Sequence, residues 1–182
     1  YASRWFDDVG DSPYGDEINT LAALGVLLGN ENGDFSPQDP LTRGELVSMI
    51  VKAMGYWCWP SQGSAPFTDV DREDWYATSV DIAYNLGLIQ GDENGEFRAD
   101  DPVDHQQFLT ILTRMGERAD LSVERRLEQV TGEELATEAV QAYDAWARPY
   151  LVTAEDLGFL AVPLEKLDPT VPTTREEAAA ML

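Results

Sequence analysis

The feature that most constrains this chain is an internal repeat. Residues 6–55 recur as residues 67–116. The first copy reads Phe6-Asp-Asp-Val9, Leu24-Gly25, Gly29, Gly33-Asp34-Phe35, Pro40 and Thr42-Arg-Gly-Glu45. The second reads Phe67-Thr-Asp-Val70, Leu86-Gly87, Gly91, Gly95-Glu96-Phe97, Pro102 and Asp104-His-Gln-Gln107. Leu24 and Leu86, Gly33 and Gly95, and Pro40 and Pro102 all keep one constant offset. A third, weaker copy follows. Trp146 precedes Gly158 by the same interval at which Trp75 precedes Gly87, and Thr174-Arg-Glu-Glu177 stands where Thr42-Arg-Gly-Glu45 stood. A unit of about 60 residues is marginal alone, so the copies are expected to pack around a shared core.

Each copy reads as helix, turn, helix. Ile18, Leu21 and Ala22 fall on one helical face, and Gly25 sits where a helix C-terminus needs positive φ. Val26-Leu27-Leu28 reads as a short buried extended piece, and Gly29 to Gly33 as a turn returning Phe35 to the core. Leu46, Met49, Ile50, Ala53 and Met54 form the apolar stripe of a second helix, ended by Gly55. Phe108, Ile111, Leu112 and Met115 repeat that stripe, with Gly116 predicted to end it. Ala178, Met181 and Leu182 start it again. The predicted organisation is unit one over 1–55, a linker over 56–66, unit two over 67–116, an inserted helical connection over 117–145 and a degenerate unit three over 146–182. Tyr1 is an abrupt start and Leu182 lies inside a helix, so the chain reads as a segment of something longer.

Composition narrows the partners. The net charge is −22, from 34 acidic and 12 basic residues spread along the chain. That excludes the basic footprint a nucleic-acid binder needs, and electrostatic docking on anionic lipid. No apolar run is long enough for a membrane span, so no membrane insertion is expected, and no signal peptide is visible. Cys58 is the single cysteine, which rules out an intrachain disulfide and reads as half-buried in the Tyr56-Trp-Cys-Trp59 cluster.

Thr42-x-x-Glu45 and Thr174-x-x-Glu177 read as capping boxes, with Asp104-x-x-Gln107 a chemical variant at the equivalent place. These six residues have a structural explanation. The arginine between them does not, because a cation in the first helical turn opposes the macrodipole. Arg43 and Arg175 therefore either pair with one of the many carboxylates or meet an anion beside free backbone N–H groups. His105 replaces this arginine in unit two. It reads as an exposed, inert residue, or as a weak pH-dependent substitute. Trp75 and Trp146 read as core, or as partly open platforms for the apolar face of a sugar. The two glycine turns mimic a calcium loop, yet counting from Asn30 or Asp92 puts Leu41 or Val103 at position 12, so turn chemistry is expected and no metal site. One histidine and one cysteine exclude most triads and zinc sites, and no carboxylate pair is distinguished.

A repeat with Phe-x-Asp-Val, Leu-Gly, a glycine-rich turn ending in Phe, Pro and Thr-Arg-x-Glu resembles the S-layer homology (SLH) domain. The match rests on Phe6, Asp8, Val9, Gly25, Gly29, Gly33, Phe35, Thr42, Arg43 and Glu45, then Phe67, Asp69, Val70, Trp75, Gly87, Gly91, Gly95 and Phe97. In the third unit only Trp146, Gly158, Thr174, Arg175 and Glu177 hold. The resemblance implies an all-α fold: three helix-turn-helix repeats packed as a pseudo-threefold trimer in one chain. It implies a secreted, non-enzymatic module at the bacterial cell surface, fused to further domains. The implied ligand is a secondary cell-wall polysaccharide, often pyruvylated, or modified peptidoglycan, with no cofactor. Carried over, the best groove combines Arg43 and Gly29 with Trp75 and Asp69, a second uses Arg175, and Trp146 is a further glycan-binding residue. His105 marks a weak site. Long-range repulsion from an anionic glycan is screened beyond about 8 Å at physiological salt, leaving local arginine contacts to decide. Two rivals stand beside this reading: a protein–protein or self-assembly module without a glycan site, and a wall-glycan-active enzyme.

Overall fold

The computed structural model describes residues 6–56, 59, 60, 63 and 65–182. Trp57 and Cys58 lie outside the described residues. The fold is all-α, with nine α-helices among the described residues. They are α1 (Gly15–Ala23), α2 (Arg43–Ala53), α3 (Ala77–Asn85), α4 (His105–Ala119), α5 (Leu121–Glu128), α6 (Gly132–Leu135), α7 (Glu138–Gln141), α8 (Arg148–Asp156) and α9 (Arg175–Met181).

Three helices end in the same way. Gly25, Gly87 and Gly158 follow the C-termini of α1, α3 and α8 with φ of 70°, 70° and 73°. After α1, Gly25 N–H donates to Ala22 and Val26 N–H to Leu21. The same paired bonds recur at Gly87 with Leu88 and at Gly158 with Phe159. Each closes the orphan carbonyls of a helix end, and the left-handed residue between them favours glycine.

Three other helices begin in a common centre. Pro40-Leu41-Thr42, Pro102-Val103-Asp104 and Pro172-Thr173-Thr174 lead into α2, α4 and α9, and each proline holds an extended backbone. Leu41 N–H donates to Thr173 O at 2.8 Å, Thr173 N–H to Val103 O at 2.8 Å and Val103 N–H to Leu41 O at 2.9 Å. The donors and acceptors form a closed ring of three, and all three residues are buried. The N-terminus of α2 reaches across to unit two, where Arg43 and Gly44 N–H meet the carbonyls of Asp101 and Ala99. The N-terminus of α9 makes the same contacts with Asp39 and Pro37 of unit one. Leu46, Met49, Ile50, Phe108, Leu112, Ala178 and Met181 are buried as predicted, while Ile111 is half-buried at a groove wall.

Three local expectations are corrected. Gly116 does not end α4, which runs on to Ala119. A Cβ there would stand 3.2 Å from the Phe159 ring and 3.3 Å from Val123, so this glycine gives room for close packing. Leu28 is exposed, unlike Val26 and Leu27. The Asp104 cap forms only half a box: Asp104 accepts from Gln107 N–H at 2.8 Å, while Gln107 Oε1 is buried without a hydrogen bond among the described residues. The boxes at Thr42 and Thr174 are complete, and a further one at Thr131 with Glu134 starts α6.

Candidate functional site

The glycine turns are built by their own side chains. Asn30 Oδ1 accepts from Asn32 and Asp34 N–H, and Asp92 Oδ1 from Asn94 and Glu96 N–H. These oxygens face backbone donors, as Asx turns require. Among the described residues no three His, Cys, Asp or Glu side chains converge on a metal position. Asp8 clamps the far side of the first turn, accepting from Phe35 N–H at 3.0 Å and Ser36 N–H at 2.6 Å. Burial would raise its carboxyl, but those donors and Arg175 outweigh it and hold it below the usual carboxylate range. Asp69 clamps the second turn, accepting from Phe97 and Arg98 N–H at 2.8 and 2.7 Å. Gly29 and Gly91 lie under this clamp, where a Cβ would come within 2.7 Å of the Phe6 and Phe67 rings respectively.

Two grooves open beside these turns. One, of about 580 Å³, is lined by Gly29, Phe35, Glu45, Lys52, Trp75 and Arg175 among others. The other, of about 410 Å³, is lined by Gly91, Arg43, Arg98, Gln107, Arg114 and Trp146 among others. Both are of the size that holds a small ligand. Each indole faces solvent: Trp75 is 63% exposed and Trp146 50%. The tryptophans are therefore open platforms and not core.

The predicted groove composition is corrected by this arrangement. Gly29 and Trp75 line a groove with Arg175, while Arg43 shares its groove with Gly91 and Trp146. The physical reason is the direction of the helix starts: α2 docks on unit two and α9 on unit one, so each arginine crosses to its neighbour's turn. Asp69 lines neither groove, because both its oxygens hold the Phe97 turn.

The two arginines share a seat. Arg43 Nε donates to Phe97 O at 2.8 Å and its guanidinium lies 5.0 Å from the Phe97 ring centroid. Arg175 Nε donates to Phe35 O at 2.7 Å and lies 4.7 Å from the Phe35 ring. They then differ. Arg175 also donates to Leu28 O at 3.1 Å and forms an ion pair with Glu45. Arg43 pairs with no carboxylate among the described residues. Burial pulls its pKa down and Asp101 opposes that, but a guanidinium stays charged.

His105 is 3% exposed, which corrects the expectation of an exposed residue. Nδ1 lies 2.9 Å from Asp168 O and Nε2 lies 3.4 Å from the Glu177 carboxylate. Burial would lower its pKa, but Glu177 and the Asp168 carbonyl outweigh it, so the pKa is raised. The same close approach of His105 holds Glu177 down to about 2, against the effect of burial. Among the described residues, His105 lines neither Arg–Trp groove.

Sequence reasoning missed Lys52, Arg98 and Arg114 as groove residues. Lys52 and Arg114 were recoverable, since they occupy equivalent places in the first two copies of the repeat. Arg114 donates to Leu88 O at 3.3 Å and lies 5.1 Å from the Tyr150 ring centroid, which joins unit two to α8.

The sequence model of the S-layer homology domain matches residues 6–47 and 66–109. An amylopullulanase of Thermoanaerobacterium thermosulfurigenes is 28% identical over 180 residues, covering 98% of this chain and 9% of that protein. A cell surface protein of Thermoanaerobacter kivui is 28% identical over 164 residues, covering 87% of this chain and 18% of that protein. A surface layer protein of Brevibacillus choshinensis is 30% identical over 99 residues, covering 53% of this chain and 9% of that protein. The chain spans less than a fifth of the length of each of these relatives.

Proposed function

Since residues 6–47 and 66–109 make this chain a member of the S-layer homology family, we propose that it is a noncovalent anchor that binds a cell-wall glycan in its two Arg–Trp grooves. The observation that carries this reading is the twice-built groove: a glycine turn, an arginine on an aromatic face and an exposed tryptophan from the following unit. An exposed indole offers a flat apolar face to a sugar ring, and the guanidinium offers directed donors to a carboxylate. The ligand is a secondary cell-wall polysaccharide or modified peptidoglycan. Residues 1–55 and 67–116 act as the first two repeats, joined by a linker over 56–66. After the helical connection over 117–145, residues 146–182 act as a degenerate third. The module works at the bacterial surface, joined to other domains that it holds at the wall, and does no chemistry itself.

The test is sedimentation with purified sacculi of Thermoanaerobacter kivui and Brevibacillus choshinensis, before and after extraction of secondary polysaccharide. Wild type should pellet with at least one untreated preparation, and the double variant Trp75→Ala, Trp146→Ala should bind at least about tenfold more weakly. Loss of binding on extraction assigns the polysaccharide, and retention assigns peptidoglycan. A wild-type chain that stays in solution with both preparations rejects the reading.

A further inference from the structure

The two glycine turns carry nearly the same residues at their tips. Glu31-Asn32-Gly33-Asp34 stands in the first and Glu93-Asn94-Gly95-Glu96 in the second. An asparagine followed by glycine is chemically reactive, because glycine has no Cβ to obstruct attack by its nitrogen on the asparagine side chain. Both turns leave that path open: nothing lies within 4 Å of where a Cβ would stand on Gly33 or Gly95. Both also restrain it. Gly33 N–H donates to Asn30 O at 3.0 Å and Gly95 N–H to Asp92 O at 3.1 Å, so the nitrogen is released only when its turn opens.

The turns differ in what holds them shut. In the first, the neutral Asn30 Oδ1 accepts Asn32 and Asp34 N–H at 2.9 and 3.1 Å, and its Nδ2 reaches Ser36 Oγ at 3.3 Å. In the second, the Asp92 carboxylate accepts Asn94 and Glu96 N–H at 2.8 and 2.9 Å and pairs with Arg98 at 3.3 Å. Bonds to a charged acceptor are the stronger ones. The carboxylate also opposes the negative charge that Gly95 N acquires on losing its proton. Asn32 and Gly33 are both exposed, whereas Gly95 is half-buried. We infer that Asn32-Gly33 is a site of spontaneous covalent modification, and that Asp92 shields Asn94-Gly95 from the same reaction. Gly33 N, giving its proton to a solvent base, attacks Asn32 Cγ. The Cγ–Nδ2 bond breaks, and the amide nitrogen takes up a proton and leaves as ammonia. Water then opens the resulting succinimide at either carbonyl, yielding aspartate or isoaspartate. Either product adds a carboxylate next to Glu31, which lines the Trp75 groove, and isoaspartate also lengthens the turn by a methylene.

The test incubates the full chain, folded, at mildly alkaline pH below its melting temperature, and follows both sites by peptide mass spectrometry in isotopically labelled water. Asn32 should convert about fivefold faster than Asn94, with label incorporated and isoaspartate present. In guanidinium the two should convert equally, since an acidic residue flanks each Asn-Gly pair on both sides. Asn30→Asp should slow conversion at Asn32, and Asp92→Asn should speed it at Asn94. Each substitution installs the residue that the other turn already carries, so the fold accepts both. The inference is overturned if Asn32 stays intact, if both sites convert equally in the folded chain, if their ratio is the same in guanidinium, or if neither substitution changes it.

Discussion

The Arg43 groove and the His105 contact occupy equivalent places, yet one is open and the other is shut. Both begin at the first residue of a capped helix, and both face an element of the following unit. At Arg43 that element is the Gly91 turn, with Trp146 beyond it. At His105 it is the Asp168 backbone, reached through Pro163-Leu-Glu-Lys166, where Leu164 is buried and Tyr143 donates to the carbonyls of Leu164 and Leu167. In unit one, Pro13 stands at the place that Trp75 holds in unit two. Cation, glycine turn and platform are thus all replaced around one interface and retained around the others. The helix caps survive in all three, so the device that builds the fold is separable from the groups that line its grooves.

That separation predicts unequal effects of equivalent substitutions. Arg175→Ala should be the most destabilising, by about 3 kcal/mol in chemical denaturation, because it leaves Glu45 and two carbonyls without their buried donor. Arg43→Ala should lose about 1–2 kcal/mol, the bond to Phe97 O and the ring contact, while losing more wall binding than any single cap variant. The reverse order in the two melts would mean that Arg43 is the structural cation. Thr42→Ala should cost about 1 kcal/mol through the lost cap and leave sacculus binding within about twofold, checked by parallel melts and pull-downs.

The smallest effect is at the shut interface, and it depends on pH. Glu177, held down to about 2, contributes stability above its ordinary 4.5 that is lost as pH falls through about 2. His105, with its pKa raised, contributes stability that is complete below its ordinary 6.5 and is lost as pH rises through its folded value. The difference in Tm between wild type and His105→Gln should therefore be greatest between pH 4.5 and 6.5 and shrink on both sides. Glu177 is partly exposed, so the difference should correspond to less than about 1 kcal/mol. A pH-independent difference would assign His105 to packing alone.

Local devices were legible in the sequence because their chemistry is contained in a few neighbouring residues. The caps at Thr42 and Thr174, the left-handed Gly25 and the glycine turns all needed only short-range spacing. The allocation of arginines to grooves did not, since it depends on which way each helix start crosses the centre. Nothing near Arg43 in sequence says that its partner is the carbonyl of Phe97, in the next copy of the repeat. His105 was misplaced for the same reason: its burial comes from Asp168 and Glu177, both on the far side of the third interface. Asp69 shows the converse error, where a residue carried over with a resemblance as part of a groove turns out to hold a turn together.

Solenoids stack their repeats along a line, each meeting only its neighbours, and so admit any number of copies. The ring through Leu41, Val103 and Thr173 obeys a different arithmetic. Each of its three N–H groups already has its acceptor, and each carbonyl its donor, so a fourth copy has no vacancy to enter. Closure joins the first unit to the last, and a nascent chain holding only Leu41 and Val103 must wait for Thr173 before two of the three bonds can form. The backbone therefore counts its own repeats, and the copy most eroded in sequence is the one that completes the count.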